Sequence, residues 1–269
     1  MRGVGIGLRA AHYPAFLHGT PAVDWLEVHS ENYFGDGGYD LHVLEHVRKD
    51  YPLSLHGVGL SLGSADGLRT DHLSRLKRLV DRIQPALVSE HMSWGALGAR
   101  HFNDLLPMPC TQQALGVMVE RVTQAQEALG RRILVENVSS YLAYRASEMS
   151  EGEFLAELAK RSGCGILLDV NNLFVNARNH GFDASTALEA FTAGPVAEIH
   201  LAGHTALDDL LIDDHGSHVA PAVWALFERA CGQFPHVPVL IEWDSNIPPV
   251  DVLVAESRTA KRIQASVHA

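Results

Sequence analysis

Eight short apolar runs recur along this chain, separated by stretches with helical spacing, and that alternation restricts the fold more than any other feature. The runs cover residues 3–8, 25–29, 53–58, 86–91, 133–137, 165–170, 196–202 and 237–243. Each is rich in Val, Ile or Leu and nearly continuous, as in parallel strands buried on both faces. Between them, apolar residues return every three or four positions. Leu41, Leu44 and Val47 share one helical face, as do Leu73, Leu76, Leu79, Val80 and Ile83. Residues 111–129, 150–161, 184–191, 218–231 and 250–265 repeat that pattern, with Thr70, Thr111, Ser150 and Asp183 as expected helix caps.

Eight strands alternating with helices predict an α/β fold, a (β/α)8 TIM barrel, with residues 1–269 as one domain. A doubly wound open sheet needs fewer strands, and its nucleotide-binding forms carry a glycine-rich first loop. Gly3, Gly5 and Gly7 only alternate within the first run and form no G-x-G-x-x-G. Residues 35–38 and 94–109 read as long loops at the strand ends, where a barrel builds its site.

The polar residues fall at the ends of these runs. Run two closes on Glu27, His29, Glu31 and Asn32, run three on His56, and run four on Glu90 and His91. Run five closes on Glu136 and Asn137, run six on Asp169, Asn171 and Asn172, run seven on His200 and His204, and run eight on Glu242 and Asp244. In a barrel all strand ends meet at one rim. His56, His91, His200, Glu136, Asp169 and Glu242 therefore converge, and carboxylates so crowded repel unless cations neutralise them. Imidazole with carboxylate suits iron, manganese or zinc. Six such donors exceed the need of one ion, and a carboxylate can bridge two.

Asp213 and His215 follow run seven on a loop over the same rim, and His180 follows run six. Glu90 is expected to orient His91 from behind. His12, His18, His42, His46, His72, His218, His236 and His268 read as surface residues, and Met92, Met108 and Met118 as core.

The formal charge of −11 disfavours nucleic acid, which needs clustered Lys and Arg. No run of 18 apolar residues exists, and residues 1–9 lack the apolar stretch of a signal peptide, so the expectation is a cytoplasmic protein without membrane contact. Cys110, Cys164 and Cys231 are far apart and odd in number, as expected of free thiols.

Several motifs carry a family resemblance. They are Leu55-His56-Gly57-Val58-Gly59-Leu60-Ser61-Leu62-Gly63, Val88-Ser89-Glu90-His91 and Val135-Glu136-Asn137. They continue with Leu168-Asp169-Val170-Asn171-Asn172, Asn179-His180-Gly181 and Ile199-His200-Leu201-Ala202-Gly203-His204. Last come Ile212-Asp213-Asp214-His215 and Leu240-Ile241-Glu242-Trp243-Asp244. The chain resembles the multinuclear non-haem iron-dependent oxidases, whose best-known member makes methanobactin. That resemblance implies a TIM barrel holding two or three iron ions. It implies His56, His91 and Glu136 on one ion, and Glu136, Asp169, His200 and Glu242 on the next, with Glu136 bridging. Asn172, Asp213 and His215 would hold a third, with His180 or His204 as a further donor. Glu136, Asp169 and His200 stand at the catalytic centre of this scheme. The implied reaction oxidises cysteine in a ribosomally made precursor peptide with O2 as co-substrate, and the implied partner is a small protein that recognises the peptide leader. Residues 95–109, with His101, Asn103 and Asp104, would wall the peptide groove.

Two other readings share the barrel. Sugar isomerases and zinc phosphodiesterases also set His, Asp and Glu at strand ends, and a metal-binding scaffold needs no reaction at all.

Overall fold

The computed structural model describes residues 1–98 and 100–267; the expectation for His268 lies outside them. The chain begins β1 (Val4–Gly7), α1 (Tyr13–Leu17), β2 (Leu26–His29), α2 (Tyr39–Val47), β3 (Leu53–His56) and α3 (Thr70–Ile83). Next come β4 (Leu87–His91), the hairpin β5 (Ser93–Leu97) and β6 (Arg100–Pro107), α4 (Gln112–Leu129), β7 (Leu134–Glu136) and α5 (Glu151–Ser162). The second half follows as β8 (Gly165–Asp169), α6 (Val170–His180), α7 (Ala184–Ala190), β9 (Val196–Leu201), β10 (Thr205–Ala206) and β11 (Leu211–Ile212). It ends with α8 (Pro221–Gln233), β12 (Val239–Ile241) and α9 (Val250–Val267).

Eight strands close a parallel barrel in the order β1-β12-β9-β8-β7-β4-β3-β2. This is the TIM barrel that the alternating runs predict, with each strand shorter than its apolar run. Side chains alternate along a strand, so every second residue enters the barrel. The inward pairs are Glu27/His29, Ser54/His56, Ser89/His91, Leu134/Glu136, Leu167/Asp169, Glu198/His200 and Leu240/Glu242. Register confirms the level: His91 pairs with Glu136, and Asp169 with His200. The outward positions, among them Val28, Leu55, Val135, Leu168, Ile199 and Ile241, are buried under the helices. At β1 the inward positions are glycines. A Cβ on Gly5 would meet the indole of Trp25 at 2.3 Å, so Gly5 makes room for the Trp25 ring.

Helix ends follow local chemistry. Thr111, Ser150 and Asp183 accept a backbone N–H as expected, each contributing about 1 kcal/mol. Thr70 does not: it is the first helical residue, and the cap position is Arg69. Helix α8 starts at Pro221 rather than 218, because proline suits the first turn, where no N–H is needed.

Two expectations need correction, and one helix goes beyond the expected set. Residues 94–107 are not loop but the antiparallel hairpin β5–β6. Residues 170–180 form a full helix whose cap is Asp169 itself, its Oδ1 accepting Asn172 N–H at 2.6 Å. His12 and His72 are buried, not surface; His12 bonds the Pro248 carbonyl at 3.0 Å, and His72 packs edge-on against Phe34. As expected, Met92, Met108 and Met118 are core and the three cysteines are free; the cysteines are also buried.

Candidate metal centre

Strand ends place the predicted residues as follows. His56 Nε2 and His91 Nε2 lie 3.2 Å apart, and Glu136 Oε2 lies 3.2 and 3.1 Å from them. The other oxygen of Glu136 faces His200 Nδ1 at 3.6 Å, and His200 Nδ1 meets Glu242 Oε2 at 3.0 Å. Glu136 thus belongs to two groups of close donors, His56–His91–Glu136 and Glu136–Asp169–His200–Glu242. All six residues are buried, Asp169 and His200 completely.

The imidazoles are held from behind. Ser89 Oγ bonds His56 Nδ1 at 2.7 Å, and the Gly57 carbonyl accepts from His91 Nδ1 at 2.9 Å. Each ring therefore turns Nε2 inward, which fixes the face that can ligate. Glu90 does not orient the His91 ring. Its Oε1 accepts Leu60 N–H at 3.0 Å and its Oε2 accepts His91 N–H at 3.2 Å, so it ties down the loop after β3.

A looser set lies toward the opening. His215 Nε2 is 2.7 Å from Asp213 Oδ1 and 3.9 Å from Asp169 Oδ2, and its Nδ1 is 3.1 Å from Asp244 Oδ2. His215 sits at φ +43, in the left-handed region that costs a non-glycine residue about 1 kcal/mol. Its carbonyl accepts Asp244 N–H at 2.8 Å, which ties that conformation to the end of β12. Asn172 Nδ2 donates to the Asn137 carbonyl, leaving Oδ1 for the site. His180 and His204 do not join. His180 bonds Ser140, and His204 bonds Asn171 Oδ1 and faces the Phe174 ring.

Sequence reasoning left Arg9, His29 and Asp244 out of the site. Arg9 reaches over Gly7 to pair with Asp244 and lies 3.6 Å from Glu242 Oε1, while His29 lies 3.5 Å from Asp244. The signal was partly present, since His29 and Asp244 stand at run ends. Arg9 carried none, because the first strand ends without a His or a carboxylate.

The charges are unbalanced in a way that suits cations. Burial pushes Glu136 well above the ordinary carboxylate range and Asp169 up to about 7. Burial pushes His91 down to about 4 and His56 far down, so both rings are neutral donors. For His200, burial opposes charging, but Glu27, Glu242 and Glu136 outweigh it and raise it well above the ordinary value. Burial would likewise raise Glu242, yet His200 and His215 hold it far below.

Metal fit rests on unpartnered atoms. Among the described residues, Glu136 Oε2, Asp169 Oδ2 and Asn172 Oδ1 have no hydrogen-bond partner, although each is buried. A buried polar atom left so costs about 1–3 kcal/mol. Three such oxygens beside the imidazole nitrogens of His56, His91 and His200, with no thiolate, fit borderline divalent ions such as iron, manganese or zinc. The space above them is a cavity of about 790 Å3, lined by His56, His91, Glu136 and Glu242 below and by the β5–β6 hairpin at the side. Exposed apolar side chains, Val58, Phe102, Tyr141 and Leu142, flank it.

Residues 3–265 match the family model described as RiPP precursor modification enzyme MbnB/TglH/ChrH. The chain belongs to this family. It is 51% identical to a UPF0276 protein of Anaeromyxobacter sp. (strain Fw109-5), covering 98% of this chain and 93% of that one. A UPF0276 protein of Vibrio vulnificus (strain YJ016) is 48% identical over 97% and 91% of the two chains. Among solved structures, a xylose isomerase-like TIM barrel protein of Mycobacterium smegmatis in complex with magnesium superposes with a TM-score of 0.63, at 12% identity over 100% and 98% of the chains. D-psicose 3-epimerase gives 0.60 at 11% identity over 99% and 98%. At such identity these two likenesses speak for the barrel alone. Among the described residues no helix is long and apolar enough to cross a membrane.

Proposed function

We propose that this peptide-modifying enzyme holds two or three iron ions at the barrel mouth and oxidises cysteine in a ribosomally made precursor peptide, using O2. The observation that carries the reading is Glu136, whose two oxygens face two separate donor groups. His56, His91 and Glu136 Oε2 would hold one ion. Glu136 Oε1, Asp169, His200 Nδ1 and Glu242 would hold a second. Asn172, Asp213 and His215 would hold a third, nearest the opening. Bound iron supplies a position for the cysteine thiolate, activation of O2 and removal of electrons.

The chain's own residues do the rest. Ser89 and the Gly57 carbonyl aim two imidazoles, so donor geometry is set before substrate arrives. The cleft beside the hairpin encloses about 790 Å3, room for a peptide segment, and its apolar flanks shield the centre from water. Arg9 stands beside Glu242 and Asp244, where its charge offsets part of the remaining negative charge, and His29 lies against the same two carboxylates. A small partner protein that recognises the peptide leader would complete the assembly in the cytoplasm.

The test is the mass of a Cys-bearing precursor peptide. It is measured before and after aerobic incubation with iron-loaded enzyme and the proposed leader-recognising partner. A mass change that needs Fe(II) and O2, and that vanishes when the target Cys becomes Ser, is expected. Unchanged mass under full iron loading, or turnover of a ketose instead, would overturn the reading.

A further inference from the structure

Below the mouth lies a second group of donors. Glu27 of β2 and Glu198 and His200 of β9 present ligand atoms within 4.8 Å of one another. All three are 0% exposed. Among the described residues, Glu27 Oε1, both oxygens of Glu198, and His200 Nε2 have no hydrogen-bond partner. Those four atoms belong to the inward faces of two strands separated by β1 and β12, so they face one another across the barrel. Two acids buried together need positive charge.

The separations tell which kind. His200 Nε2 lies 3.4 Å from Glu27 Oε1 and 3.7 Å from Glu198 Oε1. An N–H···O bond spans about 2.7–3.2 Å. Two donors on one ion, each bonded at about 2.1 Å with a tetrahedral angle, stand about 3.4 Å apart. The same spacing, 3.0–3.6 Å, separates His200 Nδ1 from Glu242 and Glu136 above. Ser54 Oγ donates to Glu27 Oε2 at 2.9 Å, which ties down that oxygen and leaves Oε1 turned to the ring.

We propose that Glu27, Glu198 and His200 Nε2 bind one further divalent transition-metal ion inside the barrel, so that the His200 ring bridges this buried ion and the mouth.

None of the three residues is among the described residues lining the mouth cavity. The buried ion is therefore closed to substrate and structural, holding β2 to β9 across the barrel. The neighbouring carboxylates hold the metal-free His200 ring in its charged form, and bridging requires both ring nitrogens to be bare, so full loading releases both ring protons to solvent while the two flanking cations offset the imidazolate charge. The bridging half rests on the mouth reading; the buried ion does not.

The experiment is zinc loading of the whole chain, read by metal analysis and by anomalous diffraction at the zinc edge. The expected result is a peak within about 2.5 Å of Glu198, Glu27 and His200 Nε2. Glu198→Gln should bind one ion fewer per chain and keep the mouth peaks. Glu136→Gln should lose mouth ions and keep the buried one, so failure at the mouth and failure below are read separately. Should Glu198→Gln not fold, the map of the parent decides. No peak between Glu27 and Glu198 in fully loaded parent crystals would overturn the proposal, leaving a proton shared by the two acids as the balancing charge.

Discussion

The inner and outer halves of the mouth are built from different material. His56, His91, Glu136 and His200 come from barrel strands, are buried, and are backed by strand or loop hydrogen bonds. Asp213 and His215 come from the connection after β11 and are partly exposed; Asp213 is held by Ser139, Asn171 and Tyr141, and His215 by Asp213 and Asp244. A barrel strand cannot shift without breaking ladder bonds on both sides, whereas a loop can adjust at little cost. The inner ions should therefore be tight and hard to exchange, and the outer ion loose and exchangeable, as suits the position nearest incoming substrate.

The largest effect tests the inner half. Glu136→Gln removes the anionic bridge, so metal analysis should show loss of two ions per chain. Peptide conversion should drop beyond the ~10²–10³-fold of a single lost electrostatic contact. His215→Ala should instead cost one ion and leave the inner pair in place. Equal losses in the two variants would erase the proposed difference between the halves.

That division was only partly legible in the sequence. Run ends named every strand-borne donor of the mouth, because alternation puts the last inward residue of each strand at the rim, whereas Glu198, one inward position deeper, went unnamed. The run-end rule says nothing of loops, so Asp213 and His215 rested on family resemblance and on their own spacing. Helix α6 escaped because Asp169 is at once a strand end and a helix cap, and because its Asn171, Asn172 and Asn176 look like loop residues yet are buried. The hairpin escaped because its residues are mostly exposed and carry no buried alternation. His72 misled for a different reason: a lone histidine in a first turn carries no sequence sign of the Glu31 carboxylate 3.1 Å away.

A middle-sized effect concerns pH. Burial pushes Glu90 up to about 8, and Asp169 and Glu151 up to about 7. Each folded value lies above the ordinary one, so the fold favours the protonated form. That contribution is complete below about pH 4 and is lost as pH rises through 7 to 8. Metal-free protein should melt at lower temperature at about pH 8 than at about pH 6. Divalent metal added at the higher pH should restore much of the difference, because it compensates Asp169. A melting temperature that rises with pH in chelator would contradict the buried-acid picture.

The smallest expected effect sharpens the outer half alone. The Tyr141 hydroxyl accepts Asp213 N–H at 2.9 Å. Tyr141→Phe should weaken the outer ion by about tenfold, the lower end for a lost supporting contact. Iron titration should show the inner ions unchanged. Weakening spread evenly over all ions would mean that the loop is not a separate unit.

The central claim is a multinuclear centre organised by Glu136, and anomalous diffraction at the iron edge tests it most directly. Crystals of anaerobically iron-loaded protein should show at least two peaks about 3.5–4 Å apart, one on each side of the Glu136 carboxylate. A single peak at the rim, or peaks that leave Glu136 uncoordinated, would contradict it.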